Sequence, residues 1–380
     1  MVSRTQSDHF GEHPDRLGVG RARGRGAQLN PPNRFEPVTL SVLGEHLDEV
    51  MATSPEGVQV PTQVLKDHAR TLINRVDVPD LQFHWTINPY RGCEHGCIYC
   101  YARPTHETFG LSCGTDFETQ VFAKMEAPAL LRRELARASW EGEPIVLSGV
   151  TDAYQPIERS LQITRGCLEV MAECGQPVSI VTKNRLITRD IDLLGSLAER
   201  GAAHVALSVT TLDAELSAKM EPRASSPRDR LAAIRELSDA GIPVRVMVAP
   251  VIPGLTDVEV PRILEAAAGA GASAAAYVML RLPWQVKRLF LDWLSREYPQ
   301  RAAKIESQVR DTRGGELYDS TPGIRQRGMG AVAEQIAAMF AVYRRRFGLH
   351  AEPVELSSAA FARPAPTDMP GQTLLFGGTS

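Results

Sequence analysis

The sequence predicts an α/β protein, six strand–helix units in a (β/α)6 arrangement, and three features carry that reading. Short apolar runs alternate with amphipathic stretches of helical spacing. Strand, helix, strand in repetition implies parallel strands buried on both faces. Gly175, Gly201 and Gly241 each follow an apolar helical stretch, where a left-handed C′ residue ends a helix. Spacing alone leaves two closures open, an open barrel or a doubly wound sheet.

The elements follow in order. Residues 1–80 form an arm and lead-in, whose first part is rich in Gly, Arg and Pro and reads as flexible or surface-hugging. Its GRARGRG segment is either a solvated disordered stretch or a basic segment for a phosphate backbone. The core spans 81–283. Its strands are LQFHWTI, 144–150, 177–182, 203–211, 243–252 and 274–280. Between them, the spacing of Leu130, Leu131, Leu135 and Ala138 gives a helix, as does that of Leu168, Val170, Met171 and Cys174. Leu193, Leu194, Leu197 and Ala198 give a third, Leu231, Ile234, Leu237 and Ala240 a fourth, and Ile263, Leu264 and Ala267 a fifth. A helical extension covers 284–348, with helices expected over 284–312 and 328–347 around a Gly-rich loop. Residues 349–380 read as a mostly disordered tail.

A net charge of −3 gives no general pull towards nucleic acid or membrane, so any nucleic-acid surface must be a local patch. No run of about 18 apolar residues appears, and the first residues lack the apolar core of a secretory signal. Both readings place the chain in the cytoplasm, without a membrane partner. Six cysteines in so long a chain make no disulfide scaffold; in a reducing compartment, clustered cysteines are metal ligands or catalytic groups.

Three of them stand together as Cys93, Cys97 and Cys100, with Gly92 and Gly96 permitting a tight turn. Three thiolates leave one iron of a [4Fe-4S] cube open for a ligand. Zinc with His95 or His106 as fourth ligand, a redox pair of Cys97 and Cys100, and buried core cysteines are the alternatives.

The stretch NPYRGCEHGCIYCYAR, with aromatic Tyr99 before the last cysteine and a first strand ahead of it, resembles the radical SAM superfamily, in particular its bacterial branch related to spore photoproduct lyase, often labelled DNA repair photolyase. The segment GRGAQLNPPNRFE, ending at Glu36, resembles the opening of that subgroup. The resemblance implies a partial (β/α)6 TIM-like barrel. It also implies a [4Fe-4S] cluster on Cys93, Cys97 and Cys100, with S-adenosyl-L-methionine (SAM) chelated at the open iron. Reductive cleavage then yields a 5′-deoxyadenosyl radical that abstracts a hydrogen atom, in a lyase or oxidoreductase reaction. The electron comes from a donor such as flavodoxin or ferredoxin.

Strand ends supply the remaining candidates. Thr151 and Asp152, after the second strand, fall where the family binds the SAM amino group. Lys183, after the third, pairs with the SAM carboxylate. Ser208, on the fourth, meets ribose or carboxylate, and Arg223 reads a carboxylate or phosphate. Tyr99 completes the cofactor-binding set. The stretch 250–257 is similar to the family's apolar strand and glycine turn against adenine. Spore photoproduct lyase carries a cysteine at the end of its second strand; here the stretch reads LSGVTDAY, so thymine-dimer repair is not carried over. Cys113, Tyr99 and Tyr101 are the candidate radical or hydrogen-donor residues, while Cys167 and Cys174 read as buried and inert.

Gln372, Leu375 and Phe376 in the tail resemble the peptide that bacterial DNA polymerases and repair proteins insert into the sliding clamp. Three functional readings remain: a radical SAM enzyme acting on a nucleic-acid base, one acting on a protein or small metabolite, and a non-catalytic iron-sulfur or zinc protein binding DNA or the clamp.

Overall fold

In a computed structural model of the chain, residues 22–35, 58–81, 83–350 and 355–365 are described; the tail motif at 372–376 lies outside them. Six strands match the six expected runs: β1 Trp85–Ile87, β2 Ile145–Leu147, β3 Val178–Thr182, β4 Ala203–Ser208, β5 Val244–Val251 and β6 Ala274–Met279. Each pairs in parallel with the next, so their spatial order follows the chain without reversal.

That order decides the closure. A doubly wound sheet reverses direction at a switch point, whereas right-handed crossovers in one direction put all helices on one face and leave the other concave. Among the described residues β1 and β6 do not pair; β1 instead takes a short antiparallel strand, Asn74–Arg75, on its free side. The result is a partial barrel.

Helices α1 Ala127–Leu135, α2 Ile163–Cys174, α3 Ile191–Ala198, α4 Pro227–Asp239 and α5 Val260–Gly269 pack on the convex face. Strand residues such as Ile145, Leu147, Val178, Ile180, Val205, Leu207 and Val246 meet Leu131, Leu168, Leu194, Ile234 and Ile263 in one core. Alternation then turns Val181, Lys183, Ala206 and Ser208 to the concave side. Gly175, Gly201 and Gly241 have φ of +63°, +67° and +75°, the left-handed caps expected of them.

Three expectations change. The helix foreseen over 284–312 is two, α6 Val286–Glu297 and α7 Ala302–Asp311, because Pro299 lies between them and cannot continue the ladder. Helix α8 Gly330–Arg346 forms as foreseen. The tail is not wholly loose: Ser357 N donates to Gly201 O and Ala362 N to Cys174 O, while Arg363 donates to the carbonyls of Arg137, Ala138 and Trp140. It satisfies helix-end carbonyls that would otherwise lack partners. The arm is ordered where described. Ala22, Arg25 and Ala27 are buried, and Arg25 spends its guanidinium on the carbonyls of Val60 and Glu118 and on Thr62. Arg25 therefore faces protein, not a phosphate backbone.

Candidate active site

The loop after β1 carries the three cysteines, and its shape is set by backbone bonds into three neighbouring segments. Cys93 N donates to Phe117 O, Ile98 N to Met220 O, and Arg223 N to His95 O. Gly92 and Gly96 have φ of +78° and +68°, and a Cβ at either would meet an atom at 2.9 or 2.8 Å. Buried Arg103 fastens the loop from below: Nε donates to Cys97 O, one terminal nitrogen to Cys113 O and Gly114 O, the other to Glu118 at 2.5 Å.

Cys93 is buried, and Cys97 and Cys100 are half-buried. Burial pushes all three thiols up; Cys97 and Cys100 raise Cys93 further, while Lys183 pulls Cys97 and Cys100 down. Cys93 thus feels the other two thiols and Asp152, while Cys97 and Cys100 share one lysine. Among the described residues no three His, Cys, Asp or Glu side chains gather as a single ion requires. A [4Fe-4S] cube takes thiolates one to an iron, and a single loop that carries three free thiols has the donor chemistry such a cube needs. The histidine alternatives for zinc are committed elsewhere. His95 has Asp152 on Nδ1 at 3.3 Å and Asn184 on Nε2 at 3.1 Å. His106 bonds Gln120 O at 2.9 Å inside a ring of phenylalanines, and burial lowers its pKa to about 4. All six cysteines are free thiols.

Around the loop the expected residues divide into two groups. The first holds the loop in place. Thr151 Oγ1 donates to Gly92 O at 2.6 Å and accepts from Gln155. Asp152 accepts from Thr182 Oγ1, Tyr154 N and Lys183 N and faces His95. Burial opposes its charge, but His95, Thr182 and the Lys183 amide outweigh it, and its pKa falls to about 2. Arg223 pairs with Glu94 at 3.0 Å, whose carboxylate also accepts from Thr62 and Ile157 N. The Tyr99 hydroxyl bonds Glu221, which is buried and paired with Arg230.

The second group keeps its polar atoms towards the concave face. Lys183 Nζ lies 5.9 Å from the Tyr99 ring and donates to Ala249 O at 3.3 Å. That carbonyl sits where the β5–β6 register shifts between Val248 and Val251, which takes it off the ladder. Burial lowers the Lys183 pKa. Ser208 is 3% exposed, and its hydroxyl has no hydrogen bond to a described residue; only its carbonyl is used, by Arg230. Tyr101 is exposed, donates to Gly149 O at 2.7 Å and lies under the Arg281 guanidinium, 4.5 Å from the ring centroid. Cys113 lies apart from these groups: it packs with Leu29 and Ile98, its sulfur is 3.8 Å from Gln285 Oε1, and burial raises its pKa to about 12.

Sequence reasoning missed Arg103, Glu118, Glu94, Gln155 and Arg281. Buried charge in the loop's surroundings has no local sequence sign, although Glu94 stands inside the cysteine motif itself.

The profile of the Radical SAM superfamily matches residues 87–267. An uncharacterized protein of Mycobacterium tuberculosis is 37% identical over 278 residues, 72% of this chain and 79% of that one. An uncharacterized protein of Methanocaldococcus jannaschii is 30% identical over 197 residues, 52% of this chain and 71% of that one. Among solved structures, spore photoproduct lyase complexed with dinucleoside spore photoproduct superposes with a TM-score of 0.53 at 17% identity, over 75% of this chain and 79% of that one.

Proposed function

Because this chain belongs to the radical SAM superfamily, with a [4Fe-4S] cluster and SAM as its cofactors, we propose that it abstracts a hydrogen atom from a nucleic-acid base. The cluster and SAM, when bound, would supply the radical chemistry of hydrogen abstraction, and the chain's residues would hold and orient them. Cys93, Cys97 and Cys100 hold the cluster. Lys183 binds the SAM carboxylate and Ser208 donates to it or to the ribose. Thr151, Asp152 and Arg223 act at one remove, by fixing the loop's carbonyls and His95. The single observation behind this reading is that a half-buried lysine and an unengaged buried serine share the concave face with the three-thiol loop.

The nucleic-acid substrate draws on Arg281, two residues past β6. Its Nε is buried without a hydrogen-bond partner, and its guanidinium covers Tyr101, the neighbour of Cys100. An unpaired cation beside the reaction centre suits a phosphate-bearing substrate. The solved relative above binds a dinucleoside. Among the described residues no helix is long and apolar enough to cross a membrane. The electron would come from a donor such as flavodoxin or ferredoxin.

The test is anaerobic reconstitution followed by iron and sulfide analysis and assay of 5′-deoxyadenosine. Four irons per chain and SAM cleavage are expected of a [4Fe-4S] enzyme. Cys97→Ala abolishes both; Lys183→Ala keeps the iron and raises the SAM KM by about tenfold or more, the loss of one charge-assisted bond. Bound zinc without iron, or full activity in Cys97→Ala, refutes the proposal.

A further inference from the structure

Between the edge strand β6 and helix α8 lies a cavity of about 660 Å³. Its floor is the aromatic pair Tyr277 and Phe340, with ring centroids 4.7 Å apart and both residues buried. Its walls carry Arg327, Arg344, Arg345 and His350, and among the described residues no carboxylate lines it. The Arg327 guanidinium lies 4.4 Å from the Tyr277 ring centroid and donates to the Tyr277 carbonyl at 3.2 Å. Arg245, near the start of β5, adds a further positive charge: its pKa is lowered by burial and then by Arg344.

None of these arginines forms an ion pair with a described residue. Elsewhere the chain pairs its arginines readily, as in Arg132–Glu173, Arg165–Asp192, Arg185–Asp229 and Arg325–Asp80. The dipole of α8 favours Arg344 and Arg345 in its last turn. It does not account for Arg327, Arg245 and His350, which come from three other segments. Gathering like charges without a counter-charge costs free energy, and an anion in the cavity removes that cost.

We propose that this groove binds the phosphodiester backbone of a nucleic acid. His350 bridges Ala274, and Arg327 sits at Tyr277. Their backbone anchors are about 10 Å apart along the strand, so the cationic lining enters the groove at separate points and suits a chain of phosphates. The two floor residues are buried and Arg327 lies over the Tyr277 ring, which leaves little ring face for a base. The contact is with successive phosphates, which positions a nucleic acid without reading its sequence. This deepens the substrate reading above and rests on it only for the choice of nucleic acid as the polyanion.

The experiment uses the reconstituted holoenzyme, a fluorescein-labelled single-stranded DNA of about 20 nucleotides and ATP as a free-phosphate probe, with anisotropy read at several salt concentrations. Arg344→Gln/Arg345→Gln is compared with Arg327→Gln; Arg327, Arg344 and Arg345 are exposed. The double variant binds the DNA at least about tenfold more weakly, and its log–log salt slope is smaller by about two. SAM cleavage without substrate stays at the wild-type level. If the double variant fails to fold, Arg327→Gln carries the test with a slope change of about one. Equal affinity and slope in wild type and variants overturns the proposal, as does binding of ATP without DNA. DNA binding that survives in a protein unable to cleave SAM supports the groove and sinks only the chemistry.

Discussion

Gly26 and Gly96 meet backbone to backbone, and this contact joins the arm to the cysteine loop. A Cβ on Gly26 would stand 1.9 Å from the Gly96 carbonyl oxygen. Glu118 completes the joint by accepting from Gly26 N, Ala27 N and Arg103. Both Arg103 and Glu118 are fully buried. Removing one charge of such a pair leaves the other uncompensated, at a cost of about 3–5 kcal/mol. Glu118→Gln is therefore expected to lower the melting temperature and to leave less than a full complement of iron after reconstitution. Unchanged iron content and melting temperature would show the joint to be incidental. Gly92 and Gly96 were legible as turn residues beside the cysteines. Gly26 was not, because its reason is an oxygen atom far along the chain.

At the scale of elements, the six strands and the five helices between them were legible, since each advertises its period and three of the helices also their glycine stop. The break between α6 and α7 was signalled by Pro299 and overlooked in a longer apolar pattern. The segment 355–363 gave no such sign: apart from Leu356 and Phe361 its residues are small or polar, and they have no period. It is ordered by what lies beneath it. Phe361 packs over Gly142, where a Cβ would come within 2.6 Å of the ring, and Ala360 lies against Gly175. Phe361→Ala is expected to cost about 1–3 kcal/mol and lower the melting temperature by a few degrees, while the rate of SAM cleavage is kept. Calorimetry beside the cleavage assay checks this; a loss of cleavage at unchanged stability contradicts a purely structural strap.

For the whole molecule, the open side of the barrel is the salient feature. Asp80, just before β1, accepts from Arg325 Nε at 2.7 Å and Gly323 N at 3.0 Å, tying the first strand's side to the segment that packs on β6. The hydrogen bond from Arg325 lowers the Asp80 pKa to about 2. The carboxylate is thus favoured in the folded state, so its contribution is present above about pH 4 and is lost as the pH falls towards 2. Asp80→Asn is expected to raise amide hydrogen exchange in 320–328 at neutral pH and to remove this part of the acid dependence. Exchange unchanged from wild type would mean that the seam is closed by other contacts.

The sequence by itself determined the (β/α)6 succession and the cysteine loop, because periodicity, glycine stops and ligand spacing are local properties of a chain. Spacing left the closure open and the family resemblance alone implied the partial barrel; the strand order in the tertiary structure bears that out, since order is a relation between distant segments. Only the tertiary structure separated the strand-end residues into those spent on the loop, such as Thr151, Asp152 and Arg223, and those left facing the concavity, such as Lys183 and Ser208. A side chain's role depends on which partners use up its hydrogen bonds, and those partners come from elsewhere in the chain.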